Sequence, residues 1–135
     1  MFDRKKPRAP RKRIDSLIGA GTTVSGDIAF SGGLRVDGKV IGKVTTLDNQ
    51  PGTLVISEQA RVDGEVRVSH VVVNGEVSGS LIANDYLELQ AKARVNGDVA
   101  YRTLEMHVGA IVEGKLMHSE PETASIVELR RASGE

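Results

Sequence analysis

The 135-residue chain has no cysteine and no tryptophan, and only Phe2, Phe30, Tyr86 and Tyr101 carry aromatic rings. The missing thiols exclude a disulfide framework and a thiolate metal site. The scarcity of rings means that a core must be aliphatic, and therefore thin, repetitive or both. Long apolar runs are missing as well. Nothing approaches the roughly 18 uninterrupted apolar residues of a membrane span, and no apolar stretch follows the basic start as a signal peptide requires. The expectation is a soluble, cytoplasmic protein. Net charge is also absent, with 18 Lys and Arg against 18 Asp and Glu.

That balance hides an asymmetry. Residues 1–15 carry seven basic side chains against two acidic ones, a local charge of +5, while residues 16–116 carry nine against twelve and residues 117–135 two against four. Three of the four prolines (Pro7, Pro10 and Pro121) also lie outside the middle segment. Little in these flanks is apolar enough to bury, so the organisation expected is a disordered basic arm over 1–17, an ordered domain over 18–117 and a disordered tail over 118–135.

What the middle has in quantity is glycine and valine, and they recur in register. The pattern apolar-x-Gly-x-apolar stands at Val24–Ile28, Val36–Val40, Val40–Val44, Val62–Val66, Val73–Val77, Val77–Leu81, Val95–Val99 and Val112–Leu116. An apolar-x-apolar doublet leads five of the units: Leu34/Val36, Leu54/Ile56, Val71/Val73, Leu87/Leu89 and Leu104/Met106. The leading residues are spaced by 20, 17, 16 and 17 positions, with Val24–Ile28 as a partial leading copy. Alternation of apolar and polar residues, β-branched side chains and a Gly in nearly every unit argue for short strands over helix. Short strands at a fixed period of about 17 residues read as an all-β solenoid of five to six coils, stacked at about 4.8 Å. Gly fits a corner needing positive φ or a close backbone approach, and Asn49-Gln50-Pro51-Gly52 reads as a turn extruded from one coil. An antiparallel barrel or sandwich does not require such recurrence. A solenoid related to hexapeptide transferases is the enzymatic alternative, but its strict six-residue register is missing.

Catalytic groups are sparse. His70, His107 and His118 are the only histidines, and there is no Gly-rich phosphate loop with its Lys and Ser/Thr. His70 and His107 read as outward-facing rung positions. Asp37, Asp63, Asp98 and Glu113 stand beside glycines and suggest a calcium ladder, but Lys39, two positions after Asp37, Lys115, two after Glu113, and Lys43 nearby oppose a cation; solvated turn charges are the favoured reading. Neither a catalytic residue, a metal nor a cofactor is expected.

The stretch Ser16-Leu17-Ile18-Gly19-Ala20-Gly21-Thr22-Thr23-Val24-Ser25-Gly26-Asp27-Ile28, followed by Leu34-Arg35-Val36-Asp37-Gly38-Lys39-Val40 and later Ala93-Arg94-Val95-Asn96-Gly97-Asp98-Val99, resembles the repeats of the bactofilins. The resemblance covers residues 16–117. It implies a single-stranded right-handed parallel β-helix between disordered tails, in a bacterial cytoskeletal protein that polymerises without nucleotide. It further implies partners among cell-wall-synthesis or cell-wall-hydrolysing proteins, and a role in cell shape or morphogenesis.

A solenoid buries each coil between two neighbours, except at its ends. The sequence offers Val24, Ile28, Phe30 and Leu34 at one end and Leu104, Met106, Val112 and Leu116 at the other, with no amphipathic capping helix beside either. These eight are the candidate polymerisation faces, the partner being a second copy of the chain. Met1, Phe2, Arg4, Lys5 and Lys6 are similar to the membrane-targeting starts of bactofilins, Asp3 being the departure. They would place the protein at the cytoplasmic face of the inner membrane, with Arg8, Arg11, Lys12 and Arg13 as additional electrostatic contacts to an anionic surface. Nucleic acid, in a scaffold tethering DNA through the arm, is the less favoured partner, because Pro7 and Pro10 break any recognition helix and no aromatic interleaves the basic run.

Overall fold

Side chains branched at Cβ favour extended backbone, and a polar residue between two of them lets a three-residue strand bury one face and wet the other. The computed structural model describes residues 14–119 and realises this in fifteen strands and one single-turn 3-10 segment, with no α-helix among the described residues. The strands line three sides of six stacked coils. The first side is built from β1 (Ser16–Ile18), β4 (Gly32–Val36), β7 (Gly52–Ile56) and the second halves of β9 (Val66–Val73), β11 (Leu81–Leu89) and β13 (Val99–Met106). The second side stacks β2 (Thr23–Ser25), β5 (Lys39–Ile41), β8 (Arg61–Asp63), β10 (Glu76–Ser78), β12 (Arg94–Asn96) and β14 (Ile111–Glu113). The third holds β3 (Ile28–Phe30), β6 (Val44–Thr46), the first halves of β9, β11 and β13, and β15 (Leu116–His118). All pairings are parallel.

Register turns the sequence repeat into columns. Leu34, Leu54, Val71, Leu87 and Leu104 stack on one another, and so do Val24, Val40, Val62, Val77, Val95 and Val112. These columns, with those of Val36, Ile56, Val73 and Leu89 and of Val44, Val66, Leu81 and Val99, are the core, and Leu54, Ile56, Val62, Val66, Val71, Val77, Leu81, Leu87 and Leu89 are fully buried in it. The first coil is complete rather than partial. Ser16–Ile18 pairs with Leu34–Val36, and Asp15 Oδ2 accepts the Gly33 N–H at 3.0 Å, so Ser16 and Leu17 belong to the solenoid. Residues 1–13 and 120–135, where the disordered arm and tail were expected, lie outside the described residues.

The three corners differ, which explains the uneven spacing. Between the second and third sides, Gly26, Gly42, Gly64, Gly79, Gly97 and Gly114 stack as a column. A Cβ on Gly79 would stand 2.4 Å from the Gly64 carbonyl oxygen, at φ +143, so only glycine fits. Between the first and second sides, four-residue turns such as Ser57–Ala60 and Gln90–Ala93, each closed by an N–H to carbonyl bond of 2.9 Å, stack on two-residue corners, Asp37-Gly38 and Asn74-Gly75. The third corner is crossed almost directly, except at Leu47–Asn49, where Asp48 and Asn49 take φ of 50° and 55° and the expected extruded turn leaves the coil.

Candidate self-association site

The ends of the solenoid are where the repeat stops satisfying itself. Leu87, Leu89, Val95 and Val99 of the fifth coil are covered completely, whereas their counterparts in the sixth lose one neighbour. There Leu104 and Val112 are half-buried, while Met106 is 43% and Leu116 45% exposed. All four of the C-terminal residues named from the sequence therefore lie together on one coil. Among the described residues, the second half of β13 and β14 pair on one side only, leaving open main-chain edges beside these side chains.

The N-terminal end differs from the expectation at two positions. Val24 and Ile28 are half-buried in the first coil, as its terminal position requires. Leu34 sits one coil further in, beneath Ser16, and is covered. Phe30 belongs to the first coil, but its ring lies toward the corner where Thr46 and Gly52 are small enough to admit it, and it too is buried. The residues that edge this end are Ser16, Ile18, Val24 and Ile28, with Leu17 standing 60% exposed on the outer surface. The sequence misplaced Leu34 because Ser16 breaks the leading apolar doublet of the first coil and hides its start.

The acidic residues beside the glycines form no ladder. Asp63 and Glu113 share a register column but are separated by Ser78 and Asn96, while Asp37 and Asp98 stand at two different corners. They serve the corners instead. Asp98 Oδ1 accepts the Lys115 N–H at 3.0 Å, as Asp27 Oδ1 accepts that of Lys43 at 2.9 Å. The hydroxyl of Ser57 donates to Asp37 Oδ1 at 2.5 Å, and this bond, with the Arg35 guanidinium beside it, holds the Asp37 carboxyl below its ordinary value.

One outward cluster was not foreseen. Glu88 and Glu105 face each other across β11 and β13, and His107 Nε2 lies 3.1 Å from Glu88 Oε2 and 3.2 Å from Glu105 Oε2. Tyr86 donates its hydroxyl to Glu105 Oε1; that bond, with burial, pushes the phenol up to about 12, while the same bond, with His107 beside it, draws the Glu105 carboxyl down against burial. These residues come from two coils, so only the register brings them together. His70 is half-buried against the Ser69 hydroxyl, 3.0 Å from its Nδ1, and His118 stacks at a tilt on Tyr101. Met1, Phe2, Arg4, Lys5, Lys6, Arg8, Arg11, Lys12 and Arg13 lie outside the described residues. No helix among the described residues is long and apolar enough to cross a membrane.

Comparison with known proteins agrees with this architecture. Residues 16–117 match the family described as Bactofilin, polymer-forming cytoskeletal. Bactofilin BacO of Myxococcus xanthus (strain DK1622) is 26% identical over 102 residues, which cover 76% of this chain and 78% of BacO. Bactofilin BacP of the same organism is also 26% identical over 102 residues, but those span only 41% of its length. The solid-state NMR structure of the cytoskeletal bactofilin BacA superposes with a TM-score of 0.69 at 29% identity, covering 81% of this chain and all of that one.

Proposed function

The chain belongs to the bactofilin family, a structural, cytoskeletal family rather than an enzymatic one, and from that premise we propose that it is a self-polymerising scaffold whose filaments grow without nucleotide by end-to-end stacking of β-solenoids. The observation that carries the reading is the uncovered sixth coil. Its inward positions Leu104, Met106, Val112 and Leu116 continue core columns that are sealed within the rod by a further coil, and among the described residues the second half of β13 and β14 have no next strand beyond them. A second copy supplies both. Burying an exposed aliphatic side chain contributes about 1.5–3 kcal/mol at full cover, and the end faces of two copies together, with a row of hydrogen bonds, offset an association cost of about 4–15 kcal/mol.

The filament lies on the cytoplasmic face of the inner membrane through the start of the chain. Phe2 inserts its ring, while Arg4, Lys5 and Lys6 add about 1 kcal/mol each against anionic lipid; one arm is a weak anchor, but a filament carries many. From there it recruits partners for cell shape or morphogenesis, cell-wall-synthesis or cell-wall-hydrolysing proteins among them. Co-sedimentation with vesicles of anionic phospholipid tests the anchoring. Deleting residues 2–6 should leave filaments in the supernatant that look unchanged by electron microscopy; pelleting that survives the deletion contradicts the role of the arm.

A further inference from the structure

The outward cluster on the fifth and sixth coils has a charge arrangement that the fold alone leaves unexplained. Glu88 and Glu105 are register partners on adjacent parallel strands, a placement in which like charges repel. Several other outward carboxylates are matched by an arginine: Asp37 by Arg35, Asp63 by Arg61, Glu65 by Arg67, Asp85 by Arg102. Among the described residues no Lys or Arg pairs with Glu88 or Glu105; the cation-capable group facing both is His107. When that imidazole is neutral, two carboxylate oxygens and a ring nitrogen converge with no cation between them.

The geometry points to a site for a divalent first-row transition ion of the Zn2+ type, held by Glu88 Oε2, Glu105 Oε2 and His107 Nε2. The three atoms lie within 4.8 Å of one another, with the nitrogen at 3.1 and 3.2 Å from the two oxygens. Tetrahedral coordination with metal–ligand bonds of about 2.0–2.2 Å needs ligand atoms roughly 3.3–3.6 Å apart, so small side-chain rotations bring the set onto an ion. Glu88 and Glu105 are already oriented. Tyr86 holds Oε1 of Glu105 and leaves Oε2 toward the histidine, Gln90 Nε2 donates to Glu88 Oε2 at 3.2 Å, and the Glu88 side chain is only 21% exposed. The backbone under His107 is fixed as well, its N–H bonded to Leu89 O at 2.9 Å and its carbonyl accepting from Ala110 at 3.2 Å. Three protein ligands leave a fourth position for water or another donor. The mixed nitrogen and oxygen set favours Zn2+, Co2+, Ni2+ or Cu2+ over Mg2+ and Ca2+. A bound ion ties the terminal coil, beside Met106, to the coil beneath it.

The test is a titration of the untagged full chain with Co2+, read by its visible absorption and by displacement with Zn2+. The site predicts saturation at one Co2+ per chain and displacement by one equivalent of Zn2+, with a hundredfold excess of Mg2+ or Ca2+ displacing nothing. Zn2+ affinity should fall at least tenfold in both His107→Ala and Glu88→Gln, while His70→Ala and His118→Ala bind as the parent does. Circular dichroism establishes that each variant keeps its β fold. Absence of saturable binding, binding unaltered by His107→Ala and Glu88→Gln, or binding lost with His118→Ala overturns the assignment.

Discussion

Glycine is the residue on which the coil spacing turns, because the column at the corner between the second and third sides brings each carbonyl against the next glycine. Gly79→Ala places a methyl 2.4 Å from Gly64 O at φ +143, so a loss of roughly 2–4 kcal/mol is expected in chemical denaturation. Gly19→Ala, where nothing lies within 4 Å and φ is ordinary, should change stability by less than about 0.5 kcal/mol. Leu87→Ala opens a cavity in a fully buried column and should cost about 2–5 kcal/mol. Asp37 adds a pH dependence. Its carboxyl titrates below the ordinary 3.8, so its ionised form stabilises the fold above that value and the contribution disappears as pH falls through the depressed folded value. The gap in denaturation midpoint between the parent and Asp37→Asn should be level above pH 5 and close in more acidic solution. A gap of the same size at every pH contradicts this.

At the scale of the element, the sequence carried the strands and most of the register. Val-x-Gly-x-Val and Leu-x-Val encode which positions face inward, and these became the columns of Leu54, Val71 and Leu87 and of Val62, Val77 and Val95. What stayed hidden were relations between coils. Gly38 and Gly75 share a motif with Gly42 and Gly79 yet turn a different corner, because the motif records local backbone need and carries nothing about which coil lies above. Ser16 hides the start of the first coil, Phe30 reads as an end residue although its ring turns inward, and Glu88 and His107 meet only through stacking. The extruded turn was legible at Asn49, Gln50 and Pro51, but it begins at Leu47, and Gly52 already belongs to β7, paired with Gly32. Other coils cross that corner in one or two residues, such as Ser31 between Phe30 and Gly32 and Asn84-Asp85 between Ala83 and Tyr86. Replacing residues 47–51 by a single serine should therefore keep the β spectrum and shift stability by no more than about 1 kcal/mol. Loss of folded structure would place that turn in the fold rather than beside it.

Over residues 14–119 the molecule is a rod with a repetitive core and, among the described residues, no cap at its last coil. Its poverty in aromatic rings follows from that shape: the interior holds Val, Leu and Ile in columns, and a ring is admitted where neighbours are small, as with Phe30 beside Thr46 and Gly52. A core of this kind has no intrinsic stopping point, and the next coil can come from another copy. Charge at the end should therefore act on assembly while leaving the fold intact, since among the described residues no further coil covers Val112 and Leu116. The most direct measurement is electron microscopy of the purified chain, with no nucleotide added, beside Val112→Arg and Leu116→Arg variants shown to be folded by circular dichroism. Filaments from the parent and dispersed monomers from both variants are the predicted result; normal filaments from either variant would contradict end-to-end stacking through the sixth coil.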